Sequence, residues 1–435
     1  LNYLQDASGY TGEAEKIIVA RDEGDVLAAI ASGQPLTISG GGTGLTGGRV
    51  PHGGWVVSLE NLTKLEVHAG YARVGAGLLL RDLKAGQQFY APDPTETWAA
   101  LGGTIATNAS GSRSFLYGST RRHIRSLKVA TMDGAIRDFR RGEKVDFPVP
   151  DIPIPNTTKH TAGYYLRPEM DWVDLFIGSE GTLGIVLEAE VTLLPVPPEL
   201  LTAVVFFASD EAALDAVDLW RKIPGLRMLE YMDAQSLKLL QDGNVPTNAR
   251  AALLIEQIGD EPHELLEQAD AIWEGSWFAN NAADRERFRI FRHALPERVN
   301  DTVRRNGSLK MGTDFAVPIG RNREMLAIYR EACGREFPGQ YVVFGHIGDA
   351  HLHVNLLPAT PEQQSCAKDL ILDLARAAVS LGGTVSAEHG VGKRKAHLLD
   401  LQFTGEQIES MKAVKRRLDP EWRLGRGTLF PFNGD

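Results

Sequence analysis

"PLTISGGGTGLTGGRVPHGGWVVSLENL", residues 35–62, decides how the first half of the chain folds. Inside it, Gly42-Thr43-Gly44-Leu45-Thr46-Gly47 has the spacing G-x-G-x-x-G. That spacing marks a dinucleotide-binding turn only where a strand leads in and a helix starts within it. The strand is present as Leu36-Thr37-Ile38-Ser39. The helix is not: Gly48, Pro51, Gly53 and Gly54 crowd the next seven residues, and the apolar run Gly54–Leu59 follows. Glycine and proline are the poorest helix formers, so no helix is expected there and no Rossmann NAD site. Glycines still let the backbone approach a ligand closely, and successive N–H groups in such a loop can form an anion nest. A pyrophosphate suits that nest; a plain hairpin loop is the alternative.

At 435 residues the chain is longer than one core usually serves, so two or three domains are expected. With 43% hydrophobic and 23% charged residues it is an ordinary globular protein. The net charge of −10 argues against nucleic acid as a partner. The short basic clusters Arg121-Arg122-His123-Ile124-Arg125 and Lys393-Arg394-Lys395 read as solvated faces. Two cysteines, Cys333 and Cys366, exclude a disulfide framework and fit a reducing compartment. No apolar run reaches bilayer length, and no leader-like segment opens the chain, which starts at Leu1.

A composition break falls at "LLPVPPELL", residues 193–201, where Pro195, Pro197 and Pro198 suit a linker. Before it, short strand-like runs such as Leu127–Thr131 alternate with glycine-rich turns. After it, 201–208 and 251–258 read as strands, and 210–223 and 260–273 as helices. The clearest helix is 361–383, with Pro361 in its first turn and Gly382 at its end; one more covers about 405–418. The pattern predicts an α+β protein: a glycine-rich cofactor domain, a cap domain and a return segment.

Two further runs share the glycine, serine and threonine richness: "DPTETWAALGGTIATNASGSRSFLYGSTRRHI" (93–124) and "GSEGTLGIVLEAEVTLLP" (178–195). Together with residues 35–62 and the opening "LQDASGYTGEAEKIIVARDEGDVLAAI", they resemble the FAD-linked oxidase family, also called the vanillyl-alcohol oxidase or PCMH-type family. The resemblance covers essentially the whole chain. It implies a two-subdomain PCMH-type FAD-binding domain over 1–196 and a ferredoxin-like α+β cap over 197–385. A C-terminal segment over 386–435 would return to the FAD domain. It implies that Gly40, Gly41, Gly42, Thr43, Gly44 and Leu45 wrap the FAD pyrophosphate. Pro92, Gly102, Gly103, Thr107, Asn108, Gly111 and Gly118 would line the isoalloxazine and ribityl part. Glu180, Gly184 and Ile185 would lie near the cofactor. Covalent members often carry His where Thr43 stands, so the FAD is expected to be non-covalent. The C-terminal "N-P-G-K" frequent in the family is replaced by Gly425-Arg426-Gly427-Thr428.

The second informative region is "FGHIGDAHLHVNLL" (344–357) with "GGTVSAEHGVGKRKAH" (382–397). His346 and His353 stand seven residues apart, and Glu388 and His389 are adjacent. Two histidines and a carboxylate can form an open metal site, including that of an iron oxygenase. These segments resemble the D-2-hydroxyacid dehydrogenase branch of the family, with its G-H-x-G-D-x-N-x-H-x-N and Ser-x-Glu-His-Gly motifs. The resemblance makes His346, His353 and Glu388 ligands of a divalent metal, zinc or manganese. It makes His389 the catalytic base and puts Asn355 near the substrate. His351 replaces the motif's first Asn; it is expected to support the ligands through a hydrogen bond.

A 2-hydroxyacid also needs a cation for its carboxylate, and the planar fork of Arg suits that. Arg292, followed by His293, resembles the substrate-region Arg-His of D-lactate dehydrogenases. Lys310 stands near a carboxylate-binding Lys of 2-hydroxyglutarate dehydrogenases, but their Arg-x-x-x-Thr pattern fails at Pro296. The expected activity is oxidation of a D-2-hydroxyacid, D-lactate first, with D-2-hydroxyglutarate or glycolate as alternatives. Electrons would pass to a separate acceptor: a quinone, a cytochrome, an electron-transferring flavoprotein or an iron–sulfur protein. A cytoplasmic location is expected, with room for peripheral membrane attachment through that acceptor and for a homodimer. The rivals are a non-catalytic flavin-binding subunit and an alkyl-transferring relative; the intact His/His/Glu/His set speaks against both.

Overall fold

Leu36–Ser39 and Lys16–Val19 flank Trp55–Ser58 in a three-stranded parallel sheet, and the glycine run connects two of its strands. Residues 40–54 cross between those strands through turns and bends with no helix. This computed structural model describes residues 2–279 and 281–431. A second, five-stranded antiparallel sheet has the order 65–68, 71–75, 185–192, 124–130, 136–140. Its last strand in the sequence, Ile185–Thr192, alternates buried and half-buried residues along its length, as a strand with one face on a core must. The short helix Leu101–Ala106 buries Leu101 and Ile105 against the five-stranded sheet.

Beyond the prolines, a seven-stranded antiparallel sheet has the order 277–279, 200–207, 251–258, 226–233, 341–346, 351–356, 311–312. Helices Asp210–Trp220, Asn322–Glu336 and Pro361–Ser380 and the 24-residue Ala282–Arg305 accompany it. The chain is an α+β protein, as expected. No helix of the described residues is long and apolar enough to cross a membrane.

Three local expectations need correction. The predicted helix over 260–273 is one turn, Glu264–Glu267, because the Ile272 N–H donates to the Phe206 carbonyl at the sheet edge instead. Pro195 does enter regular structure, in the two-residue pair Leu194–Pro195 with Gln88–Phe89; an edge position asks no N–H of it. The basic clusters are not simply solvated. Arg121 is ion-paired with Asp174 at 2.9 Å, and Lys393 Nζ donates to the Gly48 carbonyl and to Thr428 Oγ1, both at 3.0 Å.

The C-terminal residues come back to the N-terminal sheet. The Leu36 N–H donates to the Arg423 carbonyl (2.7 Å), and the Gly425 N–H donates to the Leu36 carbonyl (2.8 Å). The segment after His389 also docks on the glycine loop: the N–H groups of Lys393 and Arg394 both donate to the Thr46 carbonyl at 3.0 Å.

Candidate active site

A cavity of about 1190 Å³ lies between the glycine-rich segments and the cap sheet. Gly40 to Leu45 line one end of it. None of their six backbone N–H groups donates a hydrogen bond among the described residues. These residues are half-buried or exposed, so water or a ligand can take their N–H groups, and a run of such groups suits an anion. Arg49, which no motif singled out, pins the loop: its Nη1 donates to Ser39 Oγ and to the Gly40 carbonyl, both at 3.0 Å. Gly41 is required by packing, since a Cβ there would stand 2.3 Å from the Trp98 carbonyl oxygen.

Gly102, Gly103, Thr107, Gly111, Glu180, Gly184 and Ile185 also line the cavity. Gly103 has nothing of the protein within 4 Å of where its Cβ would be. Pro92, Asn108 and Gly118 do not line it. Pro92 is buried. Asn108, at φ 49°, accepts the Arg121 N–H on its Oδ1. Gly118, at φ 81°, ends the turn Ser114–Tyr117 with its Cβ position filled by the Arg122 side chain. Glu180 accepts the N–H groups of Val391 (2.9 Å) and Gly392 (2.8 Å), so the third glycine-rich run holds the return segment.

The cap supplies the opposite wall. Strands Tyr341–His346 and His351–Leu356 form a hairpin in which His346 pairs across from His351. His351 and His353 share a face because they are two apart in a strand. Glu388 comes from the return segment, and the four side chains offer ligand atoms that all lie within 4.8 Å of one another. His346 Nε2 is 3.2 Å from Glu388 Oε1, and its Nδ1 is bonded at 2.5 Å to Glu230 Oε1. His353 Nδ1 bonds the Thr313 carbonyl at 3.1 Å; the carbonyl can only accept, so Nδ1 carries the hydrogen and Nε2 keeps its lone pair. Burial opposes a charge on His346, but Glu230 and Glu388 outweigh it and hold the imidazole at about 9.

Three residues that no motif flagged organise this wall. Lys159 is buried, with Nζ 2.6 Å from Glu388 Oε1 and 3.2 Å from Asp349 Oδ2. Burial disfavours its charge, yet Glu388 and Asp349 keep it above the ordinary lysine value. Asp314, fully buried, accepts the N–H groups of Ala387 (2.8 Å to its carbonyl, 3.2 Å to Oδ2) and His389 (2.9 Å), and the Ser386 hydroxyl (2.8 Å). Glu230 joins His346 to Arg292, whose Nη2 donates to Glu230 Oε2 at 2.8 Å. The signals were weak: a lone Asp in "MGTDFAV", a lone Lys in "NTTKHT" and a Glu inside the strand Leu226–Asp233.

His389 is a quarter exposed, with Nδ1 3.4 Å from Asp314 Oδ1 and its ring stacked on His353 at 5.6 Å. Burial lowers its pKa below the ordinary imidazole value, partly offset by Asp314 and helped by Lys395. A neutral imidazole at neutral pH can accept a proton. Arg292, Lys310 and Asn355 all line the same cavity. Arg292 gives both Nε and Nη2 to Glu230, so only Nη1 stays outside that pair. Lys310 and Lys395 form no ion pair among the described residues, and burial lowers both ammonium groups.

The sequence pattern of FAD linked oxidases, C-terminal domain, matches residues 196–429, and that of an FAD binding domain matches residues 14–140. The chain is 30% identical to glycolate oxidase subunit GlcD of Bacillus subtilis, over 99% of this chain and 92% of that protein. It is 31% identical to a D-lactate dehydrogenase of Archaeoglobus fulgidus, over 91% and 86%. It is 30% identical to a D-2-hydroxyglutarate dehydrogenase of Xanthomonas citri pv. viticola, over 94% and 87%. An alkyldihydroxyacetonephosphate synthase structure shares the fold at a TM-score of 0.66 and 15% identity, over 94% of this chain and 75% of that one.

Proposed function

The chain belongs to the FAD-linked oxidase family, and from that premise we propose that it is an FAD- and metal-dependent dehydrogenase of small D-2-hydroxyacids, D-lactate foremost. The product is the 2-oxoacid, and the electrons leave to a separate acceptor. The observation that carries this reading is one cavity with an anion-binding glycine loop at one end and the His346/His353/Glu388 cluster beside a neutral His389 on its cap wall. FAD fits the loop, where six N–H groups stand free for a pyrophosphate. A divalent ion fits the cluster, whose two fixed imidazoles and carboxylate are the donors of an open site.

When bound, FAD supplies the two-electron acceptor for the C2 hydride, and the divalent ion supplies a Lewis acid for the hydroxyl and carboxylate oxygens. His389 takes the hydroxyl proton as general base. Asp314 fixes the loop that carries His389 and faces the imidazolium that proton transfer creates. Arg292 Nη1 and Asn355 orient the substrate carboxylate, and Glu230 keeps the guanidinium from rotating away. Thr43 in the loop is consistent with FAD held without a covalent bond; flavin that stays with acid-precipitated protein would overturn that point.

A dicarboxylate such as D-2-hydroxyglutarate is the second reading, favoured by Lys310 and Lys395 at the cavity, of which Lys310 has no acid partner among the described residues. The test is anaerobic bleaching of the flavin with D- and L-lactate, D-2-hydroxyglutarate and glycolate. D-enantiomers should bleach wild type and leave His389→Asn coloured, with the flavin still bound. Equal bleaching of that variant would remove His389 from the reaction.

A further inference from the structure

We propose that His351 is a fourth protein ligand of the divalent ion, donating through Nδ1, so that the site is three imidazoles and one carboxylate. This rests on the metal-binding reading above and deepens it. His351 is 0% exposed, and neither of its ring nitrogens makes a hydrogen bond. A buried imidazole with two idle nitrogens is costly unless something absent from the chain satisfies one of them.

The directions of the rings say which nitrogen that is. His351 Nε2 lies 3.2 Å from Asp314 Oδ1, off the hydrogen-bond line, while Nδ1 points towards Glu388 Oε1 at 3.9 Å. A small ring rotation completes an N–H to carboxylate bond to Asp314, the arrangement that fixes the tautomer of metal-bound histidines. The other two rings already follow that pattern. His346 is tied by Nδ1 to Glu230, and His353 by Nδ1 to the Thr313 carbonyl. Each of the three histidines thus has one nitrogen at an acceptor outside the cluster and one that is not, that of His346 lying 3.2 Å from Glu388 Oε1 within it, and the four side chains offer ligand atoms within 4.8 Å of one another. A tetrahedron with Zn–N bonds of 2.0–2.1 Å has edges of about 3.4 Å, so the cluster closes by modest side-chain rotation. Lys159 and Ser110 both donate to Glu388 Oε1, which weakens that oxygen as a donor; a third imidazole compensates. An imidazole-rich set favours zinc over manganese, and with four protein ligands the substrate enters by expanding the coordination.

The flavin-loaded full chain, as wild type, His351→Asn, His351→Gln and His346→Ala, would be titrated with zinc and with manganese against a chromophoric chelator. Zinc X-ray absorption would count the imidazoles. Three imidazoles are expected in wild type and two in His351→Asn. Zinc Kd should rise by more than about 100-fold in both His351 variants, beyond the 10–100-fold cost of losing a mere hydrogen-bonding support. The Gln variant keeps size and polarity, and an unchanged flavin content shows the fold intact. Two imidazoles in wild type, or zinc bound by His351→Asn within tenfold of wild type, overturns the proposal while the His346/His353/Glu388 reading stands. Zinc binding that His346→Ala leaves unaltered overturns that reading as well.

Discussion

Asp314 and Lys310 show how single side chains divide the work of the wall they share. Asp314 is bonded to the backbone of the loop that carries Glu388 and His389 and faces two imidazoles. Asp314→Asn keeps the shape and removes the charge that stabilises a protonated His389. We expect kcat to fall by about 10²- to 10⁴-fold, the range typical of losing general acid–base support, with flavin absorbance per mole unchanged. The Lys310 side chain makes no hydrogen bond or ion pair among the described residues, so Lys310→Met should act on substrate choice. If D-2-hydroxyglutarate is turned over, its kcat/KM should drop at least about tenfold relative to D-lactate, the worth of one charge-assisted contact. Equal losses on both acids would remove Lys310 from the selectivity. The histidines and Glu388 could be picked out in the sequence because their spacing carries chemistry, and Arg292 because Arg292-His293 resembles the substrate region of D-lactate dehydrogenases. Asp314, Lys159 and Glu230 could not: Asp314 meets Ser386 across 72 residues, Lys159 meets Glu388 across 229 and Glu230 meets Arg292 across 62, and no local pattern records that.

At the scale of elements, the helix Leu101–Ala106 separates packing from ligand binding. A Cβ at its Gly102 would stand 2.9 Å from the Ala76 Cβ, whereas Gly103 faces open cavity. Gly103→Ala should stabilise the flavin-free protein by up to about 1 kcal/mol, the helix-interior difference between the two residues. It should weaken FAD binding, because the added methyl enters the cavity. Thermal denaturation with and without FAD checks both signs; tighter FAD binding would mean that the cofactor does not approach Gly103. Most elements were legible from periodicity: the strand 251–258 and the helix 405–418 lie where the pattern puts them. The helix over 260–273 was not, because its apolar spacing is helical but Phe206 offers a sheet-edge carbonyl that ends it early. Tertiary hydrogen bonding overrode local propensity there.

Across the whole molecule, a chain of alternating charge runs through Lys159, Glu388, His346, Glu230 and Arg292, joining the cofactor-binding part, the return segment and the cap. Lys159→Met breaks it at one end and leaves Glu388 buried with less compensation. Breaking a buried pair costs about 3–5 kcal/mol, so the metal-free protein should melt lower. Added divalent metal should recover much of the loss, because the ion meets Glu388 without a competing ammonium. Glu180, which ties Val391 and Gly392 to the cofactor-binding part, gives a pH signature. Burial raises its carboxyl to about 7 against the two N–H donors. A carboxyl that binds its proton more tightly folded than unfolded stabilises the fold in acid, and that contribution is lost as pH rises from about 4.3 through the folded value. The stability difference between wild type and Glu180→Gln, from urea unfolding of the holoenzyme, should therefore shift against wild type between pH 5 and 8, by at most on the order of 3 kcal/mol. A difference flat in pH would show that Glu180 keeps an ordinary carboxyl. The proton on His346 has its own consequence. Lodged between Glu230 and Glu388, it occupies the place that the proposed divalent ion would take. On that reading, loading the site would be an exchange, one divalent ion in and a proton out, so apparent metal affinity should fall as the pH is lowered.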